Sequence, residues 1–234
     1  MRFLLTLIKD IRYQMKYGFY LLYAFISAIY IALLFILPAE YKRTAASVLI
    51  LSDPSMLGVF FIGGIWLLER SEGLLSLWGI TPLLPIEYIL SKALSLSLIS
   101  TLSAVLIVLL AFQGSCHYFL LTAGVFTGSM VFTLSGLLVA TYSRSVNHYM
   151  LIATMPAVLL TAPAILSAFG ITCPVFEFFP GTALWRIVAY SLQPGDPRSP
   201  SWPWACLALW LGIALLFANK RVPAAMLSEG GEKR

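Results

Sequence analysis

ERSEGLLSLWGITP, residues 69 to 82, is a short charged and then apolar stretch between two long apolar segments. Glu69, Arg70 and Glu72 fall within four positions, and a leucine-rich run that contains Trp78 follows them. This spacing predicts a short helix with one apolar side. Burying a leucine-sized side chain contributes about 1.5–3 kcal/mol of favourable free energy, so the apolar side of such a helix is expected to pack against another surface. That surface is either the lipid bilayer or a groove on a soluble partner protein.

The composition around this stretch predicts an integral membrane protein. The chain has 234 residues, of which 60% are hydrophobic and only 11% charged, with a mean hydropathy of +0.90. A soluble domain has about 25% charged residues, so this chain has too little charge to cover a water-exposed surface. The net charge of +5 comes from basic residues at the edges of apolar runs. That pattern indicates membrane topology with the lipid bilayer as partner, not nucleic-acid binding.

The apolar segments predict an all-α protein with six transmembrane helices. A helix crosses the hydrocarbon layer with roughly 20 residues. Asp53 and Pro54 are typical of a helix start, at the N-cap and first helical position. The predicted spans are 17–37, 54–69, 86–111, 117–142, 148–169 and 203–219.

Residues 1–16 predict an amphipathic helix that lies in the membrane interface. Lys9, Arg12 and Lys16 fall outside an apolar helical stripe and suit lipid headgroups. The stripe comprises Leu4, Leu7, Ile8, Ile11 and Met15.

The positions of Lys and Arg predict that both termini are cytoplasmic. With the N-terminus inside, four basic residues fall in outer segments: Lys42, Arg43, Arg186 and Arg198. The other eleven of the fifteen fall in inner segments: Arg2, Lys9, Arg12, Lys16, Arg70, Lys92, Arg144, Lys220, Arg221, Lys233 and Arg234. An excess of basic residues marks the cytoplasmic side, and residues 220–234 are then a cytoplasmic tail.

Four further patterns concern packing and shape. Pro156 and Pro163 predict kinks in the fifth span. Residues 182–192 predict a short helix between spans five and six that either lies in the outer leaflet or is re-entrant. Gly124 and Gly128 allow close helix contact, either within one subunit or at a dimer seam. The three cysteines are either free thiols or include a disulfide between Cys116 and Cys173.

The sequence contains no motif that would supply energy or catalysis. The spans hold hardly any ionisable group, which disfavours proton or sodium coupling except through backbone carbonyls. No lysine follows a glycine, which excludes a P-loop, and no cluster indicates a metal site or membrane-embedded catalysis. The chain is therefore predicted to be a non-enzymatic component, either passive or driven by a partner.

Residues 69–92 carry a resemblance to a known family. Glu69-Arg70-Ser71-Glu72-Gly73, then Thr81-Pro82, then Glu87-Tyr88 and Lys92 resemble the signature between the second and third spans of ABC-2 type transporter permeases. The layout of the whole chain is similar to that family, and the chain looks most like its short fluoroquinolone or antibiotic export permeases. Leu84 departs from the Ser or Thr that often caps the third span.

The resemblance implies a multi-pass subunit of the bacterial inner membrane. Two cytoplasmic ATP-binding cassette ATPase subunits would bind ATP and Mg, this chain would hold no cofactor, and a second permease subunit would complete the complex. Residues 69–82 would be the coupling helix, with ATPase-coupling roles for Glu69, Arg70, Glu72, Gly73, Leu77 and Trp78. The alternative for Glu69 and Glu72 is a solvated pair at the membrane exit.

The cargo is predicted from the lining of the spans. Aromatic side chains suit an amphipathic or apolar molecule such as a drug or antibiotic, and the predicted pathway comprises Phe19, Tyr23, Phe60, Phe61, Trp66, Pro156 and Pro163. Helix packing is the alternative role for these aromatics. A lipid or polysaccharide permease, and a partner-independent channel or assembly component, are the alternative functions.

Overall fold

The structure, a computed structural model, describes residues 2–52, 57–75, 84–112, 116–193 and 201–231, with side chains as far as 227. These residues form nine α-helices and no strand, so the predicted all-α fold is confirmed. A 3₁₀ turn, Pro174–Phe178, precedes the eighth helix. The helices are α1 (Arg2–Lys16), α2 (Phe19–Ile36), α3 (Ala39–Ile50), α4 (Leu57–Ser71), α5 (Pro85–Phe112), α6 (Tyr118–Ala140), α7 (Val146–Ala168), α8 (Pro180–Ser191) and α9 (Ser201–Gly231).

Five helices are long and apolar enough to cross a membrane, which makes the chain a multi-pass membrane protein. They are α2, α5, α6, α7 and residues Ser201–Leu227 of α9. Helix α4 has 15 residues, fewer than the roughly 20 that a straight crossing needs. Its predicted start at Asp53 and Pro54 lies outside the described residues. The count of six spans and the cytoplasmic position of both termini remain predictions.

Two helices extend beyond what the hydropathy pattern indicated. Helix α3 (Ala39–Ile50) occupies the first predicted outer segment, where no helix was predicted. Helix α9 continues past Pro223 to Gly231, so most of the predicted tail 220–234 is helical. The predicted short helix at 182–192 is present as α8 (Pro180–Ser191), and its depth in a membrane remains a prediction.

Helix α6 lies at the centre of the bundle and packs against α4, α5, α8 and α9. A Cβ added at Gly124 would lie 2.5 Å from Cγ2 of Ile187, and one at Gly128 would lie 2.6 Å from Cδ2 of Leu184. Both neighbours belong to α8. The predicted close contact at this glycine pair is therefore confirmed, and it forms within one subunit.

A second close contact joins α4, α6 and α7. The Tyr149 ring of α7 packs directly over Gly63 of α4, and its hydroxyl donates a hydrogen bond to the Val59 carbonyl. Gly136 of α6 faces the same turn of α4, where a Cβ would lie 2.6 Å from the Val59 oxygen. Three helices therefore meet where only glycine leaves room for a neighbouring backbone or ring.

Gly136→Ala is expected to destabilise the protein. The new Cβ would meet the Val59 carbonyl and lie 2.8 Å from Cγ2 of Ile62, so α4 must shift. Overpacking of this kind costs about 1–3 kcal/mol, more than the gain of about 1 kcal/mol in helix propensity. Thermal unfolding in nanodiscs checks this. Gly212→Ala is the matched control, because a Cβ at Gly212 meets open space; equal stability of the two variants would contradict the packing.

Candidate functional site

One polar stripe of α1 faces the interior of the protein. Thr6, Asp10 and Gln14 repeat every four residues, which places them on one face, and all three are buried. Helix α1 packs against α5 and α2, and Gln14 Nε2 donates to Ser95 Oγ of α5 at 2.7 Å. Much of the predicted apolar stripe is exposed, including Leu4, Ile8 and Met15.

A buried group of charges joins α1, α4 and α5; we call Asp10, Glu69 and Lys92 the basal cluster. Lys92 Nζ lies 2.5 Å from Asp10 Oδ1 and also pairs with Glu69 Oε1. Ser91 donates to Asp10 Oδ2, and Tyr88 donates to Glu69 Oε2 at 2.7 Å. Every carboxylate oxygen of the cluster therefore accepts a hydrogen bond.

The basal cluster is almost fully withdrawn from solvent. Lys92 is 1% exposed, Glu69 3% and Asp10 5%. Burying an ion costs several kcal/mol unless its partners compensate. The ammonium has further compensation from two aromatic rings, 5.3 Å from the centroid of Tyr88 and 5.8 Å from that of Tyr13. Burial raises the pKa of the Tyr13 phenol, so that ring adds no charge.

The basal cluster lies where the stretch 69–82 leaves the bundle. Glu69 is in the last turn of α4, and Lys92 is about two turns into α5. Next to Glu69, Arg70 Nη1 donates to the Ser143 carbonyl at 2.9 Å, which connects α4 to the turn between α6 and α7. The two helices that flank the stretch are therefore fixed to each other, to α1 and to a neighbouring turn.

After Glu69 and Arg70, the stretch continues with an exposed acid and a tight turn. Glu72 is exposed, and its Oε1 accepts a hydrogen bond from the Tyr17 hydroxyl at 2.8 Å. Gly73 has φ +72, in the left-handed region where glycine commonly ends helices. Leu75 is buried. Leu77 and Trp78 lie outside the described residues, so their predicted coupling roles remain predictions.

Two expectations about charge are wrong at this end of the bundle. Glu69 is not part of a solvated pair, because its side chain is buried and forms an ion pair with Lys92, whereas Glu72 is exposed. The interior also contains ionisable groups, since Lys92 lies inside α5 and binds two carboxylates from other helices. All four carboxylate oxygens have protein donors, an arrangement suited to joining helices rather than to passing ions.

The predicted pathway aromatics form three ring contacts. Phe19 and Tyr23 of α2 meet Phe61 of α4 edge to face, with centroids 4.9 and 5.3 Å apart. Trp66 is buried against Tyr88, 6.2 Å between centroids. Phe60 is half-buried beside Phe61. Pro156 and Pro163 lie inside α7, half-buried and buried respectively, and the helix runs without interruption from Val146 to Ala168. Their roles in a pathway remain predictions.

The described side chains provide no metal site. Within those ranges, no three His, Cys, Asp or Glu residues approach closely enough to hold an ion. None of Cys116, Cys173 and Cys206 is disulfide-bonded in the described residues, so the disulfide alternative is wrong.

Sequence reasoning missed the basal cluster as a unit. Tyr88 and Lys92 were part of the recognised signature but had no assigned contact, and Asp10 had no role. Two signals pointed to it: a stripe of polar residues, Thr6, Asp10 and Gln14, at helical spacing in α1, and a lysine inside a membrane span, where a charge needs a partner.

Comparison with known proteins places this chain among export permeases. A model of the fluoroquinolones export permease protein family matches residues 1–223, a range that includes the whole basal cluster. Two curated relatives, the fluoroquinolones export permease proteins of two Mycobacterium tuberculosis strains, are each 26% identical over 162 residues, 69% of this chain and 68% of theirs. No solved structure matches. The chain belongs to the fluoroquinolones export permease protein family.

Proposed function

We propose that this protein is the membrane-spanning subunit of an ATP-driven exporter of amphipathic or apolar small molecules in the bacterial inner membrane. Separate ATP-binding cassette subunits bind ATP and Mg and hydrolyse the nucleotide. A second permease subunit, identical or related, completes the transport path. The observation that carries this proposal is the basal cluster, which joins α4 and α5 through Glu69 and Lys92 at the ends that the stretch 69–82 connects.

The basal cluster converts a force on this stretch into a movement of several helices. A groove on the ATPase holds the apolar side of the coupling helix, with Leu77 and Trp78 as its anchors. When nucleotide binding moves that groove, α4 and α5 move together because Lys92 pairs with Glu69, and α1 follows because Lys92 also pairs with Asp10. Arg70 extends the same movement to the turn before α7 through the Ser143 carbonyl.

The predicted coupling residues divide into two groups under this proposal. Glu69 and Arg70 face the bundle and hold it together. Glu72 is exposed and Gly73 sets the turn, so these residues face the ATPase together with the anchors Leu77 and Trp78. Glu72 also fixes the start of α2 through Tyr17.

A family relationship supports the drug-like cargo. The curated relatives are named for fluoroquinolone export, and a fluoroquinolone is a small aromatic acid with an apolar ring system. The aromatic contact of Phe19, Tyr23 and Phe61 lies next to a cavity of about 810 Å³, which Phe19 lines. These side chains offer an apolar surface to such a molecule.

Uptake into inverted membrane vesicles tests the proposal. Vesicles that contain this chain and its ATPase are expected to accumulate a fluoroquinolone when ATP is added. Vesicles with a hydrolysis-deficient ATPase, or with no ATPase, are expected to show background uptake. Full transport without the ATPase would overturn the proposal in favour of a partner-independent channel.

A further inference from the structure

One cavity of the described residues lies at the same end of the bundle as the basal cluster. Its volume is about 810 Å³, within the range of about 300–1,000 Å³ that is typical of small-molecule sites. The start of α2, the second half of α4 and the turn between α6 and α7 form its walls. Under the predicted topology, this end faces the cytoplasm, the side from which an exporter takes its cargo.

The charge of this cavity is positive. Arg70 and Arg144 both line it, and none of its described lining residues is acidic. Arg144 is exposed, and no described residue forms an ion pair with it. A guanidinium in this setting favours a carboxylate or phosphate.

The cavity also has an apolar lining. Phe19, Leu67 and Leu68 contribute to it, and Phe19 is fixed by its edge contact with Phe61. Gly64 of α4 lines the cavity as well, and a Cβ there would meet nothing within 4 Å. The missing side chain at Gly64 therefore leaves space that a ligand ring system can occupy.

We propose that this cavity is the loading site for a cargo that carries a carboxylate on an apolar body. Arg144 binds the carboxylate, Arg70 adds positive charge, and the apolar body packs between Phe19 and Leu68 over Gly64. The site rests on the proposed export function for its role, and it narrows the cargo class from amphipathic molecules to organic acids.

Fluorescence anisotropy of a fluoroquinolone acid tests the site on the purified full-length permease in phosphatidylcholine nanodiscs, without ATP or ATPase. Arg144→Gln is expected to weaken binding of the acid about tenfold through the loss of a charge-assisted hydrogen bond. The methyl ester is expected to bind the unaltered protein about tenfold more weakly than the acid, and to be insensitive to Arg144→Gln. Arg43→Gln, which removes an exposed arginine that does not line this cavity, is expected to leave binding unchanged.

Gly64→Phe tests the position of the apolar body. Its ring fills the open space, so binding of acid and ester is expected to fall at least tenfold. Gly212→Phe places the same ring at a glycine of α9 with open space around it and is expected to bind within twofold of the unaltered protein. Thermal unfolding confirms that each variant is folded.

Three results would overturn the loading site. The first two are equal binding of acid and ester, and unchanged binding in Gly64→Phe. The third is displacement of the acid by phosphatidylglycerol in the unaltered protein but not in Arg144→Gln, because this result would assign the site to a lipid headgroup. Because the assay contains no ATPase, these results are independent of the ATP requirement measured in vesicles.

Discussion

Lys92→Met is expected to lower the free energy of unfolding by about 3–5 kcal/mol and to abolish export. The substitution keeps most of the side-chain volume but leaves Asp10 and Glu69 buried without their cation. Removing one member of a buried ion pair has a cost of this size, because an uncompensated charge stays in the interior. Unfolding of the permease in nanodiscs measures the change in stability, and vesicle uptake measures the change in export.

Two variants separate lost charge balance from lost volume. Lys220→Met makes the same substitution at an exposed lysine of α9 and is expected to change stability by less than about 0.5 kcal/mol. The triple variant that combines Lys92→Met with Asp10→Asn and Glu69→Gln removes every charge of the basal cluster, and it is expected to recover most of the stability. If Lys92→Met is as stable as Lys220→Met, the basal cluster does not join these helices.

Trp78→Ala is expected to reduce cargo-stimulated ATP hydrolysis by the complete complex at least tenfold without destabilising the permease. A tryptophan that anchors an interface contributes about 2 kcal/mol or more to binding, which corresponds to more than a tenfold change. The measurement compares ATP hydrolysis with and without a fluoroquinolone in the co-purified complex. Permease unfolding is measured in parallel.

The control for this variant is another tryptophan at the far end of the bundle. Trp202 is exposed in the first turn of α9, and its indole donates to the Glu177 carbonyl at 3.3 Å. Trp202→Ala is expected to keep cargo stimulation within twofold. If Trp78→Ala instead lowers stability and preserves coupling, the stretch 69–82 lies on lipid and does not contact an ATPase.

Long apolar segments could be predicted from the sequence because lipid imposes a simple rule of length and composition. The predicted spans 86–111, 117–142 and 148–169 correspond closely to α5, α6 and α7. This rule did not predict helix α3, because Glu40, Lys42 and Arg43 lie within its twelve residues. It did not predict the helical end of α9 either, since a charged segment can continue a helix without extending a span.

The basal cluster could not be predicted from local patterns, because its partners are far apart in the sequence. Lys92 is 82 residues from Asp10 and 23 from Glu69. The sequence indicates that each of these charged residues needs a partner. Only the packing of α1 and α4 on α5 shows which residue that partner is. Close contact at Gly124 and Gly128, in contrast, could be predicted from their spacing alone. The structure shows that α8 is the neighbouring helix.

Photo-cross-linking from position 78 tests most directly how this protein receives energy. A photoreactive phenylalanine replaces Trp78 in the permease, which is expressed in cells with its ATPase and irradiated in the intact membrane; the same probe at Trp202 serves as the control. A contact between the coupling helix and the ATPase predicts a covalent adduct between position 78 and the ATPase subunit and none from position 202. Adducts of position 78 with phospholipid alone would contradict it.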